Sequence, residues 1–237
     1  MKKIVIIFTS IILILALGVG IYVGDYYHAD EVALNCITDE TDDITVIEKD
    51  GNYIFSSAEP TVGLIFYPGG KVEAESYAPL MVKLAEQNIL VILVSMPARL
   101  AVLGIDKADG LCEEYPDIQE WYMAGHSLGG SMAAKYVSEH DSEYEGLILL
   151  AAYSTESLNN KNLKVLSVYG DCDKVLNMES YKENLCNLPE GYTEVIIKGG
   201  CHAYFGSYGA QSGDGEPSIT REEQYNRTIE AIVEFIQ

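Results

Sequence analysis

The sequence predicts an α/β domain in which a parallel sheet carries helices on both faces. Continuous apolar runs at 62–67 (VGLIFY) and 89–95 (ILVILVS) have the composition of strands buried on both sides. Amphipathic helical patterns separate such runs, and a strand–helix–strand succession of this kind pairs its strands in parallel. The third observation is Gly125-His126-Ser127-Leu128-Gly129, set between a strand at 120–124 and a helix of small residues starting near Leu128. This G-x-S-x-G pattern marks a sharp strand-to-helix turn that lifts a serine hydroxyl above a parallel sheet.

The chain opens with Met1, Lys2 and Lys3, followed by 20 uncharged residues at 4–23 (IVIIFTSIILILALGVGIYV). That length matches the hydrocarbon core of a bilayer for a helix rising about 1.5 Å per residue. Lys2 and Lys3 precede the run and Asp25 follows it, which places residues 1–3 in the cytoplasm and the rest outside. Tyr22, Tyr26 and Tyr27 stand where an interfacial aromatic belt would. The alternative is a cleaved signal peptide, which would make the protein secreted. Apolar regions of signal peptides are usually about 7–15 residues with a small-residue cleavage site. The run is longer and offers only Gly18-Val19-Gly20, so an uncleaved single-pass anchor is preferred. Residues 24–42 are polar and acidic and read as a stalk, and residues 43–237 as one domain.

Within that domain, residues 44–48 and 53–56 flank Asp50-Gly51, a strong hairpin dipeptide. Tyr77, Leu80, Met81, Leu84 and Ala85 fall at helical spacing, with Ser76 as N-cap and Pro79 in the first turn. A helix is expected within 99–114. Further strands are expected at 146–150, 163–169 and 192–197. The last helix opens at Thr220-Arg221-Glu222-Glu223, a capping box, with Tyr225, Ile229, Ile232, Val233 and Ile236 on one face.

A serine hydroxyl becomes a nucleophile when a neighbouring base takes its proton, and an acid must fix the tautomer of that base. Where the serine sits in a G-x-S-x-G turn, acid and histidine follow it in that order. The strand at 163–169 leads into Gly170-Asp171-Cys172-Asp173, and Asp173 of this G-x-x-D turn is favoured over Asp171 as the acid. His202, after Gly199-Gly200-Cys201, is the one histidine that follows them. His126 is expected to turn its side chain away from the hydroxyl, and His140 to face solvent. An oxyanion would be met by the Leu128 N–H at the helix start, and by Gly70 or Lys71 from the turn Pro68-Gly69-Gly70-Lys71. Residues 203–219 show neither helical nor strand period. They are expected to form a pocket wall that offers Tyr204, Phe205 and Tyr208 to the substrate.

These motifs, with FYPGGKVEAESYAPL, VSMPARLAVLG, LLAAY, SVYGDCD and GGCHAYFGSYGAQSGDGEPSITREEQ, resemble the α/β-hydrolase superfamily over residues 60–236. The narrower likeness is to its small fold-5 group, related to dienelactone-hydrolase-like enzymes. The resemblance implies a mostly parallel sheet of eight strands and a Ser127–His202–Asp173 triad. It departs from dienelactone hydrolases in having serine for cysteine, and Pro68 stands where many hydrolases have a histidine before the oxyanion glycine. Only twelve residues separate Leu150 from Leu163, too few for a helical cap, so a capless domain with an open site is expected.

The function that follows is hydrolysis of carboxylic esters of small to medium acyl groups, with a small-molecule ester as partner and no cofactor. Acyl transfer or amide hydrolysis by the same triad, and a catalytically silent membrane-tethered binding protein, are the alternatives. A net charge of −21 repels phosphate backbones and argues against nucleic-acid binding. Five cysteines, none in a C-x-x-C or Cys/His spacing, do not suggest a metal site. Outside the cytoplasm they can form disulfides, and their odd number leaves at least one unpaired within a monomer. Cys172 and Cys201 precede Asp173 and His202, so a bond between them is one pairing the triad allows.

Overall fold

The computed structural model describes residues 24–38 and 43–237, with single positions 8, 17, 18, 20 and 22 before them. The apolar run at 4–23 lies almost wholly outside the described residues, and no helix among those described is long and apolar enough to cross a membrane.

Eight strands form one sheet: β1 (Thr45–Lys49), β2 (Asn52–Ser56), β3 (Val62–Tyr67), β4 (Ile89–Leu93), β5 (Glu120–His126), β6 (Gly146–Leu150), β7 (Lys164–Gly170) and β8 (Thr193–Ile197). Their order is β1-β2-β4-β3-β5-β6-β7-β8. The β1–β2 hairpin and the β2–β4 pair are antiparallel, and every other pair is parallel. Asp50 and Gly51 turn the hairpin with φ of 52° and 79°, the two positive values a two-residue turn of this hand demands. β3 lies between β4 and β5, so the chain reverses its direction across the sheet there. Ligands of open α/β sheets bind at the carboxyl ends of strands flanking such a switch point.

Alternation along the central strands divides the core into two. Leu64 and Phe66 of β3 join Tyr122 and Ala124 of β5 beneath α2 (Ala78–Ala85) and α5 (Arg221–Ile236), which contribute Leu80, Met81, Leu84, Tyr225 and Ile232. Ile65, Tyr67 and Met123 face the other way, onto Ala133, Ala134 and Val137 of α3 (Leu128–Glu139). Each large apolar side chain fully buried here contributes about 1.5–3 kcal/mol. The link from β6 to β7, residues 151–163, contains no helix, so the carboxyl-end edge of the sheet carries no helical cap there.

Three readings of the sequence are corrected, and a fourth difference is an element the sequence did not suggest. The stretch 99–114 holds no α-helix, only short 3-10 turns over Pro97–Arg99, Ala101–Leu103, Ile105–Ala108 and Cys112–Glu114. Ala98, Arg99 and Gly110 all have positive φ, which breaks any helical run. Ser76 caps nothing: it lies inside a 3-10 turn (Ala74–Tyr77) with its hydroxyl buried and unpartnered. Thr220 does cap α5, accepting the Glu223 N–H, while the Glu223 carboxylate turns to Arg227.

The third correction concerns the stalk, because residues 24–38 belong to the folded body. Tyr27 pairs with Val72 in a parallel bridge, and α1 (Glu31–Thr38) packs its buried Ala33 against the domain. Asp30 accepts hydrogen bonds from Ser207 and Arg221, at 2.8 and 2.9 Å. The fourth is an unforeseen helix, α4 (Met178–Asn184), capped by the Asn177 side chain, which accepts the N–H groups of Glu179 and Ser180.

Candidate active site

Ser127 stands between β5 and α3 with φ 53° and ψ −124°, a conformation that costs an L-residue on the order of 1–3 kcal/mol and persists only where its surroundings enforce it. The enforcement is visible. The Ser127 N–H donates to the Leu150 carbonyl at 2.9 Å, and its own carbonyl accepts the Ser131 N–H at 3.1 Å. A Cβ on Gly125 would lie 2.6 Å from the Gly129 carbonyl carbon, and one on Gly129 would strike the carbonyl oxygens of Tyr67 and Pro68. The pattern's glycines thus let strand, helix and the turn after β3 meet. The Leu128 N–H, at the first position of α3, has no intrahelical acceptor.

Asp173 and His202 lie beyond the ends of β7 and β8. His202 Nδ1 and Asp173 Oδ2 are 2.8 Å apart, and both side chains are almost wholly buried. Asp173 Oδ1 accepts two backbone N–H groups, from Val175 and Leu176, each at 2.8 Å. These bonds leave the carboxylate a single orientation, facing the imidazole. Asp171 points elsewhere and accepts the Gly199 N–H at 2.6 Å. His202 Nε2 is buried with no hydrogen-bond partner among the described residues. With Nδ1–H given to a carboxylate, Nε2 carries the lone pair and can take a proton.

Asp214, from the stretch 203–219, ties these loops together. Its carboxylate accepts the N–H groups of Ala203, Lys174 and Gly215. Burial alone would raise its pKa, but these backbone bonds outweigh it and hold the group below the usual value. The Cys172 N–H donates to the Gly200 carbonyl at 2.9 Å, so the two loops are neighbours as expected, yet Cys172 and Cys201 are both free thiols. Burial pushes the Cys201 thiol up to about 12.

The turn after β3 offers fewer donors than expected. The Lys71 N–H is committed to the Arg99 carbonyl at 2.8 Å, which removes it as an oxyanion donor and corrects that expectation. The Gly69 N–H is bound by the Tyr77 hydroxyl. Gly70 N–H has no acceptor among the described residues, and its Cα abuts Leu128, where an added Cβ would meet Cδ2 at 2.8 Å. Gly70 and Leu128 are therefore the adjacent pair with free amides. A cleft of about 310 Å³ opens off the turn after β3, lined by Pro68, Glu73, Ser95, Met96 and Arg99; none of Gly70, Ser127, Leu128 and His202 lines it.

His126 is the residue the sequence undervalued. Its buried ring lies 4.5 Å from that of His202 and 5.4 Å from Phe205, and Nδ1 meets the Tyr77 hydroxyl at 2.8 Å. Burial holds its pKa well below the ordinary histidine value, and the nearby His202 pushes the same way, so this ring stays neutral. Tyr204, Phe205 and Tyr208 differ in role. Phe205 and Tyr208 are buried in the core, whereas Tyr204 is half-buried under the Arg221 guanidinium. His140 stacks on Tyr136 at 4.2 Å. Among the described residues no three His, Cys, Asp or Glu side chains are grouped to hold a metal ion.

Known proteins share the fold. A CIB-like hydrolase from Thermoplasma acidophilum shares the fold with TM-score 0.58 at 14% identity, over 80% of this chain and 98% of its own. TT1662 from Thermus thermophilus gives 0.60 at 13% identity, over 82% and 98%. Est1E from Butyrivibrio proteoclasticus gives 0.56 at 16% identity, over 82% and 99%. At these identities the likeness is one of fold. In sequence, a protein of Mycobacterium phage D29 that bears the name non-heme haloperoxidase is 28% identical over 134 residues, 51% of this chain. The chain spans about half the length of that curated relative, 47%. The profile of the alpha/beta hydrolase family matches residues 63–226, from β3 into α5, and the chain belongs to that family.

Proposed function

We propose that the protein is a serine hydrolase of carboxylic esters with small to medium acyl groups, held to a membrane by residues 4–23 with its domain outside the cytoplasm. The observation that supports the chemistry is the buried Asp173–His202 pair, whose Nε2 has no partner among the described residues, in loops that follow β7 and β8 as Ser127 follows β5. In this reading Ser127 Oγ attacks the acyl carbon while His202 Nε2 takes the hydroxyl proton. The carbonyl π electrons move to oxygen, and the N–H groups of Leu128 and Gly70 meet that charge. Collapse expels the alcohol, which leaves with the proton from His202. Water, deprotonated by the same nitrogen, then frees the acid and restores Ser127. Asp173 keeps Nδ1–H in place throughout. The uncapped edge favours a compact acyl group held in an open site.

The test is labelling of the full chain by a fluorophosphonate probe, together with turnover of p-nitrophenyl butyrate. Both are expected, and Ser127→Ala should abolish both with the fold intact. Undiminished labelling of Ser127→Ala protein would assign the nucleophile elsewhere.

A further inference from the structure

We propose that the catalytic edge of the domain faces the lipid bilayer and that the substrate is an ester lodged in the membrane surface. This rests on the hydrolase and anchor reading above and names the substrate's location and class. The motivating contacts join the end of the apolar run to the turn that carries Gly70. The Tyr22 ring lies 4.6 Å from Lys71 Nζ, and the same ammonium pairs with Asp25 at 2.9 Å. The Tyr27 N–H donates to the Lys71 carbonyl at 2.7 Å, and the Glu73 N–H donates to the Tyr27 carbonyl at 3.1 Å. The Tyr26 ring lies under the Arg99 guanidinium, 3.4 Å from its carbon. Three residues separate Val23 from Tyr27, and the four steps of extended chain reach at most about 14 Å. Whatever path the chain takes, Gly70 is held close to the point where the apolar run ends. Tyrosine rings at that point settle among lipid headgroups.

Two further features fit such a surface. Val102 and Leu103 are large apolar side chains, 51% and 59% exposed, on the loop that continues from Arg99. They are placed to enter the headgroup layer beside the cleft. The ester bonds of bilayer lipids and inserted amphiphiles lie at that depth, so an open, capless edge could take them without drawing the molecule far into water. The net charge of −21 opposes an anionic leaflet, which points to uncharged or zwitterionic surroundings.

The experiment uses the full chain in phosphatidylcholine vesicles, with p-nitrophenyl butyrate as soluble ester and hexadecyl butyrate, the same acyl group on a lipid-lodged alcohol, as the lodged one. A Gly/Ser spacer of about 20 residues inserted between Val23 and Gly24 would let the domain drift about 25 Å on average. Turnover of p-nitrophenyl butyrate should stay within about twofold, while that of hexadecyl butyrate falls about tenfold or more. Leu103→Asp should shift the two rates in the same sense. Equal retention of both activities in the spacer protein overturns the orientation. Turnover of p-nitrophenyl butyrate without turnover of hexadecyl butyrate in the unmodified chain also overturns it and leaves the hydrolase reading standing, whereas absence of both overturns that reading itself.

Discussion

Tyr77 and His126 are joined by a 2.8 Å hydrogen bond between the phenol oxygen and imidazole Nδ1, with both side chains buried. The same oxygen accepts the Gly69 N–H at 2.9 Å. A phenol has one hydrogen to give, so it goes to Nδ1, and His126 carries its own proton on Nε2. One hydroxyl thus couples the residue before Ser127 to the residue before Gly70.

Tyr77→Phe should leave the Gly69 N–H and His126 Nδ1 buried and unmet, at a cost of about 1–3 kcal/mol. If the bond also sets the distance between Gly70 and Leu128, kcat for p-nitrophenyl butyrate should fall about tenfold with little change in KM. Urea melts and steady-state kinetics read the two effects separately. Lower stability with unchanged kcat would reduce Tyr77 to packing.

The two aspartates after β7 should separate cleanly. Asp173→Asn would offer an amide N–H or a weaker acceptor to His202 and lose about 10⁴-fold in kcat, as expected when a catalytic histidine takes the wrong tautomer. Asp171→Asn should cost less than about tenfold, because that carboxylate bonds the Gly199 amide instead. A larger loss from Asp171→Asn would reverse the assignment.

His126 predicts a pH effect on stability. Its folded pKa is depressed, so the unfolded chain binds more protons there as pH falls below about 6.5. Stability from this group is complete above that value and lost as pH falls toward the folded pKa. His126→Asn should lower the melting temperature at pH 8 yet make its decline between pH 7 and 5 shallower. Parallel declines in the two proteins would contradict a neutral His126.

Of Tyr204, Phe205 and Tyr208, Tyr204 is the one not buried in the core, and so the one with surface to offer a substrate. Tyr204→Ala should change the preference between acetate and hexanoate esters while probe labelling of Ser127 persists. Phe205→Ala, which empties a fully buried site against His126, should instead cost about 3–5 kcal/mol of stability. An unchanged chain-length preference in Tyr204→Ala would remove 203–219 as a pocket wall.

What the sequence revealed was whatever depends on local pattern. β3 and β6 run between the residues their apolar runs predicted, because a strand buried on both faces leaves no polar position to blur its ends. Asp173 and His202 were readable from their order after Ser127. The commitment of the Lys71 amide was not, because its acceptor, Arg99, lies in a loop whose backbone follows no period. Nor was the Tyr77–His126 bond, which joins residues 49 apart through one hydroxyl. The segment 24–38 misled by composition. Its acidic surface resembles a stalk, and its attachment depends on a few residues, Tyr27, Asp30 and Ala33, whose partners are distant in sequence.

That attachment means similarity and folding begin at different places. The family match starts at residue 63, but the Asp30 carboxylate supplies the acceptors for Ser207 and Arg221, and Tyr27 completes a bridge at Val72. A soluble fragment that begins at Gly24 should therefore behave as the whole domain. One beginning at Asp43 forfeits several hydrogen bonds worth about 1 kcal/mol each, and at about 2–4 °C per kcal/mol should melt about 10 °C lower. By the same logic, a proteolytic cut before Tyr27 spares every one of these contacts, whereas a cut just after Asp30 severs the bridge and the carboxylate from the rest of the domain.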